Sequence, residues 1–299
     1  MRQKALPFEK SRKNSSESAY APHSRRQKFF GSFFQKRTAW LFLLFVCGQT
    51  AQAADPDALD SEINTGNDLT RPLTRVDVRL MYQEMPGDRE RAVYKLRGDR
   101  PVRLGAGWKL ALRLDVPVWD TNGGVSANPS GAYHVGLGDV QTQALLTHEI
   151  NSRLAFGFGT QIIVPTAGDR LLGTGKLQML PTAGYRYALP EISDGSFATF
   201  GMRYDVDVAG PDGRRHISNL QFAPTFSVAL LRDVFVTFYP NSSIRYNFVT
   251  RSWFVPFDMQ VGKLWGKSIM TSVEGFVPMY RGVSPLYDYR VELRVGFFY

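Results

Sequence analysis

The chain has a single cysteine, Cys47, so residues beyond it hold no thiol. That excludes a disulfide framework, a thiolate metal site and a cysteine nucleophile in the rest of the chain. No stretch approaches the ~20 consecutive apolar residues of a membrane-spanning helix. Net charge is scarce once its location is considered. Of the formal +9, residues 1–53 hold ten lysines and arginines against Glu9 and Glu17, so residues 54–299 carry only +1. A basic surface for nucleic acid is excluded on that ground. His134 and His148 lack metal-ligand spacing. The run Gly173-Thr-Gly-Lys176 opens no helical pattern and is not a phosphate loop. No metal and no cofactor are expected.

What is present begins with an export signal. A long basic n-region leads to the apolar run Ala39–Val46, then to Ala51-Gln52-Ala53. This order predicts a signal peptide over 1–53, cleaved after Ala53. A lipobox outline at Leu44–Cys47 has Val46 where a small residue belongs, and a twin-arginine pair at Arg25-Arg26 is followed by Lys28 where an apolar residue is usual. Residues 54–73 are polar and unpatterned, and read as a flexible periplasmic entry segment.

From Thr74 the dominant period is two, the spacing at which side chains share one face of a strand. Val76, Val78, Leu80 and Tyr82 oppose Asp77 and Arg79; Leu110, Leu112, Leu114, Val116 and Val118 oppose Lys109, Arg113 and Asp115. The last stretch, Tyr287–Tyr299, alternates Tyr, Tyr, Val, Leu, Val, Phe, Tyr with Asp288, Arg290, Glu292 and Arg294. Twelve such segments are predicted: 75–83, 91–98, 108–119, 138–148, 153–165, 175–187, 196–208, 219–231, 234–248, 252–264, 268–279 and 287–299. An even number of strands suits an all-β transmembrane antiparallel up-and-down β-barrel over 74–299, with both ends periplasmic. Segments 120–135, 166–174, 209–218 and 280–286 then face the exterior.

Alternation alone also fits a soluble barrel with inside and outside exchanged. Three features favour the membrane. No charge falls on the apolar faces of the predicted segments. Aromatics such as Tyr82, Trp119, Tyr185, Tyr187, Trp253, Tyr289 and Tyr299 gather near segment ends, as in interfacial girdles. A soluble barrel of this size encloses more space than these side chains fill. Against easy strands stand Pro117, Pro165, Pro181, Pro224, Pro240, Pro256 and Pro278, which cannot donate to a ladder and predict a belt of bulges toward the outer ends.

Several short motifs carry a resemblance: Gly136-Leu-Gly-Asp-Val140, Leu172-Gly-Thr-Gly-Lys176 and Pro181-Thr-Ala-Gly-Tyr185. With the strand-plus-Val-Pro pieces, they make most of 75–299 resemble the outer-membrane family named after the MetA pathway of phenol degradation. The resemblance implies an outer-membrane transporter for small solutes, with hydrophobic or aromatic compounds favoured; it implies no particular functional residues. The terminal strand also resembles the C-terminal signal read by the barrel assembly machinery. Outer-membrane lipid, lipopolysaccharide and a small solute are the other partners expected, and the barrel is expected to be monomeric.

The inward face offers Arg113, Asp115, Arg186, Arg203, Asp205, Asp207, Asp258, Glu274, Arg290, Glu292 and Arg294. Mixed signs at these positions either form opposed walls of a solute path or pair into ladders that fill a narrow barrel. No catalytic residue is expected on this reading. The one enzyme-like run is His216-Ile-Ser218-Asn219, similar to the H-x-S-N of outer-membrane acyl hydrolases, whose histidine activates the serine. Its weakness is that Asp205 and Asp207 alternate inward, leaving no carboxylate expected beside His216. A structural barrel without transport is the remaining alternative, and the short outer loops weigh against adhesion.

Overall fold

The structure, a computed structural model, describes residues 66–123, 128–230, 233–241, 243–282 and 286–299. The expected signal peptide, its cleavage site and the first part of the 54–73 segment lie outside the described residues. Fourteen β-segments follow in chain order: β1 (Arg75–Met85), β2 (Arg89–Gly105), β3 (Trp108–Thr121), β4 (His134–Leu137), β5 (Val140–Glu149), β6 (Leu154–Val164), β7 (Leu177–Ala188), β8 (Phe197–Ala209), β9 (Ser218–Ala229), β10 (Val234–Phe238), β11 (Ile244–Asn247), β12 (Ser252–Trp265), β13 (Ile269–Tyr280) and β14 (Tyr289–Phe298). Each pairs antiparallel with its neighbours, and no helix occurs among the described residues. Both β4 and β5 pair with β3 and share one position in the wall; β10 and β11 share another, between β9 and β12. Because β14 pairs with β1 and β12 with β13, the sheet closes into a twelve-position barrel.

Two segments differ from the alternation. β2 runs 17 residues where the period of two supports only 91–98. Gly98, Asp99 and Pro101 hide the period, yet the ladder to β3 continues through Arg100↔Leu112 and Val102↔Leu110. The expected single strand 234–248 is split at 239–243.

The faces are those of a barrel apolar on the outside and polar on the inside. Val78, Leu114, Val273, Val277 and Leu293 stand exposed on the outward face, whereas Asp77, Asp115, Thr237, Asp258 and Glu274 are buried on the inward one. Exposing so much apolar surface to water costs roughly 25 cal/mol per Å², so this arrangement is stable only where lipid covers the wall. The expected absence of charge from the outward faces fails at Lys263 of β12, whose ammonium lies 4.7 Å from the Trp265 ring centroid near the strand end; other outward charges appear as strands extend past their predicted ends. There Glu84 faces Glu90, and the Tyr82 and Tyr289 hydroxyls donate to these carboxylates. Trp119 departs from the expected girdle. It shares the inward parity of Asp115 and lies beneath the Arg91 guanidinium, 4.4 Å from its ring centroid.

Prolines mark the ladder's breaks. At Pro117 the partner of β3 changes from β5 to β4. Pairing of β7 with β8 skips from Met179↔Val206 to Thr182↔Arg203, past Pro181. Pro224 lies mid-strand in the gap between Phe222↔Ile244 and Phe226↔Phe238, with Pro240 in the facing 239–243 excursion. Pro256 borders a bulge and faces Pro278, and Pro165 follows the last residue of β6. Each lacks the N–H that continuous pairing requires.

Candidate functional site in the barrel lumen

All eleven inward charges named from the sequence project from the inward face, but they divide into different environments. Across β14, β1, β2 and β3 they form a dense ladder. Arg97 grips Asp115 through Nε and Nη2, at 2.7 and 2.6 Å. Asp99 takes Arg113 at 2.6 Å and Arg75 at 2.5 Å. Asp77 accepts from Arg79 at 2.9 Å and from Arg294 at 3.2 Å, and Arg79 also donates to Glu292 at 3.0 Å. Alternation sets acid and base on neighbouring strands at matching heights, which is why these pairs meet. Arg113, Asp115, Glu292 and Arg294 are thus fastened to partners. Their partners Arg75, Asp77, Arg79 and Arg97 fall within the first two predicted segments and Asp99 just past the second, though the sequence did not single them out as site residues.

Elsewhere the inward face is looser. Arg203 is half-buried and its Nε donates to the Thr182 hydroxyl at 3.1 Å. Asp205 accepts from Asn219 and Gln221. Asp207 pairs with Lys176 at 3.3 Å near the rim of long loops. Glu274 accepts from Asn241 at 2.7 Å. The Arg290 guanidinium lies 3.3 Å from the Phe276 ring centroid and 5.4 Å from that of Tyr287.

A single strand of chain crosses this interior. The described end of the segment expected to be a flexible periplasmic lead-in, 66–73, lies inside the barrel, which corrects that placement for these residues. Asn67 donates to Gln260 of β12 at 2.5 Å and accepts from Arg294 of β14 at 3.3 Å. Its neighbour Asp68 pairs with Arg186 of β7 at 2.6 Å, on the opposite side of the ring. Two successive residues therefore tie opposite walls. Asp68 also accepts from the Thr70 N–H and hydroxyl, turning the chain. Leu69 then faces a row of small residues in register: Gly157↔Gly184, Gly184↔Gly201 and Gly201↔Ala223. A Cβ at Gly184 would sit 2.8 Å from the Phe200 carbonyl oxygen, so close strand approach holds that position to glycine. Around Leu69 and Thr70 this row leaves only a water-sized recess. No sequence signal pointed to Asp68, because polarity alone does not distinguish a lead-in from a lumen segment.

Near the loop rim, His216 Nδ1 lies 2.5 Å from Asp207 Oδ1. Parity had placed Asp207 inward and out of reach. His216 precedes β9, however, so strand alternation does not set its direction, and the expected lack of an orienting carboxylate is corrected. Ser218, the first residue of β9, has its hydroxyl 2.9 Å from that of Tyr204.

No protein-family model matches the chain, and no curated protein matches it. Among solved structures, it is similar to the COG4313 outer membrane channel from Pseudomonas putida F1, with 13% identity and a TM-score of 0.63 over 83% of this chain and 100% of that one. It also aligns with the NanC porin (11% identity, TM-score 0.49, 75% of this chain and 98% of that one) and with outer membrane phospholipase A from Escherichia coli (11% identity, TM-score 0.42, 81% and 95%). The first likeness, together with the closed register, defines the fold as a twelve-strand antiparallel barrel of the outer-membrane type.

Proposed function

We propose that the protein is an outer-membrane channel that passes or binds small solutes, exported by its leader and acting as a monomer. The observation that carries this reading is the closed barrel itself: an apolar outward wall around an inward face of polar and charged residues, crossed by one short segment. The charged ladder of β14 and β1–β3 supports a fixed wall, and the looser Arg203, Asp205 and Arg290 support the solute-facing side. Hydrophobic or aromatic compounds are the solute class favoured by the resemblance to the MetA-pathway family. Outer-membrane lipid and lipopolysaccharide contact the apolar wall, and the assembly machinery reads Tyr287–Tyr299. Single-channel conductance in a planar bilayer tests the reading: discrete, stable steps support it, and silence from folded protein overturns it.

The pairing of His216 with Asp207 favours a second reading, an acyl hydrolase using His216 and Ser218. An acid-oriented histidine two residues from a serine has the parts of a nucleophilic site. The engagement of Ser218 by Tyr204 counts against it. Loss of acyl-chain release in Ser218→Ala, measured on labelled lipid, would support it; no activity in the parent protein removes it.

A further inference from the structure

Register sets two arginines in one row of the inward face. Thr182 of β7 stands opposite Arg203 of β8, and Arg203 opposite Gln221 of β9. Gln221 in turn stands opposite Arg245 of β11, and Arg245 opposite Phe254 of β12. Neighbouring strands lie about 4.8 Å apart, so the two arginine backbones are roughly 10 Å apart with one glutamine between them. Both side chains are only half-buried. Arg203 is engaged through Nε alone, by the Thr182 hydroxyl at 3.1 Å. Arg245 donates no hydrogen bond to a described residue.

Asp205 is the carboxylate these arginines share. It stands two residues along β8 from Arg203 and within electrostatic reach of both. Its Oδ2 already accepts from Asn219 at 3.0 Å and from Gln221 at 3.3 Å. The surrounding charges are settled among themselves. Arg97 and Arg113 are held by Asp115 and Asp99, and Asp207 by Lys176 and His216. Arg290 acts on Asp258 and Glu274, which are hydrogen-bonded to each other. Two guanidinium groups against one carboxylate leave a single positive charge, with the terminal nitrogens of both arginines as donors.

We propose that Arg203 and Arg245 bind the carboxylate of a small organic monoanion in the lumen. A carboxylate presents two coplanar oxygens that match the guanidinium fork. Chloride lacks that pair of oxygens, and a phosphate dianion exceeds the one surplus positive charge. The inference rests on the channel reading only in naming a solute class for this lumen.

Calorimetric titration of the full protein, purified from membranes in a non-ionic detergent, with sodium benzoate tests it. Benzamide, sodium chloride and sodium phosphate serve as the comparison titrants. The expected result is saturable binding of benzoate alone, weakened about tenfold or more in Arg203→Gln and in Arg245→Gln, the scale of one lost charge-assisted hydrogen bond. Asp205→Asn removes the competing carboxylate and should tighten binding several-fold. Should a variant fail to fold, the contrast between benzoate and its neutral amide in the parent protein still decides. Equal binding of chloride or phosphate would make this a general anion site and overturn the carboxylate assignment. No binding to folded protein would mean that Asp205 answers both arginines, and binding retained in both arginine variants would place the site elsewhere. Either result overturns the inference. Calorimetry needs no conduction, so a silent barrel that binds benzoate sinks the channel reading and leaves this one standing, while a conducting barrel that ignores benzoate does the reverse.

Discussion

Asp139 and Thr174 clasp each other: one carboxylate oxygen of Asp139 accepts both the Thr174 backbone N–H at 2.7 Å and its hydroxyl at 2.9 Å. The other oxygen takes the Ala167 N–H. Two motifs far apart in sequence, Gly136–Val140 and Leu172–Lys176, thus form one fastening that folds the 165–176 loop against β4. Asp139→Ala frees two backbone donors and a hydroxyl. Trypsin is then expected to cut after the exposed Arg170 several-fold faster, with the barrel's heat stability nearly unchanged. An unchanged cleavage rate would show that Arg214, which donates to the Arg170 carbonyl, holds the loop by itself.

The same loop carries a pH-dependent contact. The Leu171 backbone N–H and then His134, whose Nδ1 lies 2.6 Å away, hold the Asp169 carboxyl below its ordinary value of 3.8. A lowered carboxyl favours the folded loop above its unfolded value, and that contribution is lost as the pH falls through the folded one. The loop is therefore expected to stay fastened from neutral pH down to about 4. The Asp169 side-chain carboxyl carbon, followed by NMR, should titrate below 3.8; a midpoint above that value contradicts the arrangement.

Asp68 holds the crossing segment to β7 through Arg186. Asp68→Asn keeps the shape and removes the charge, so the segment is expected to leave the lumen more often. Planar-bilayer recordings should show larger or longer openings than in the parent. Identical recordings would mean that Asn67 and Leu69 suffice to hold it.

Arg203 and Arg294 are expected to behave differently despite both lying on the inward face. Arg203 is half-buried and bonded to a hydroxyl, so Arg203→Gln should shift the reversal potential toward cations with little loss of stability. Arg294 is buried against Asp77, and breaking such a pair costs about 3–5 kcal/mol. Arg294→Gln should therefore lower the unfolding temperature markedly. A selectivity change without destabilisation in Arg294→Gln would reverse these roles.

Prolines interrupt the ladder within 239–243 and at the bulge beside Val255. The amides of Asn241, Ser243, Val255 and Phe257 are expected to exchange hydrogen faster than those of β10, by at least about tenfold. Uniform protection across these positions would show the wall to be continuous there.

The wall was legible in the sequence because it depends on one local rule. Alternation at Val76–Tyr82 or Leu110–Val118 states which side chains share a face, and register then follows from matching apolar faces. The inward position of Arg113, Asp115, Arg203 and Arg294 came from the same rule. It faltered where the rule is blurred, in β2 beyond Leu96 with its Gly98 and Pro101, and in the split between Phe238 and Ile244.

What local pattern does not contain is which inward charges meet. Arg97 finds Asp115 because residues 18 apart in sequence lie on strands side by side, whereas Arg290 sets its guanidinium over the Phe276 ring. His216 reaches Asp207 because it lies outside a strand, free of alternation. Most of all, only the closed ring could set Asn67 against β12 and β14 and Asp68 against β7. Alternation is a property of neighbours along the chain, while the contents of a lumen depend on walls that approach each other from opposite sides.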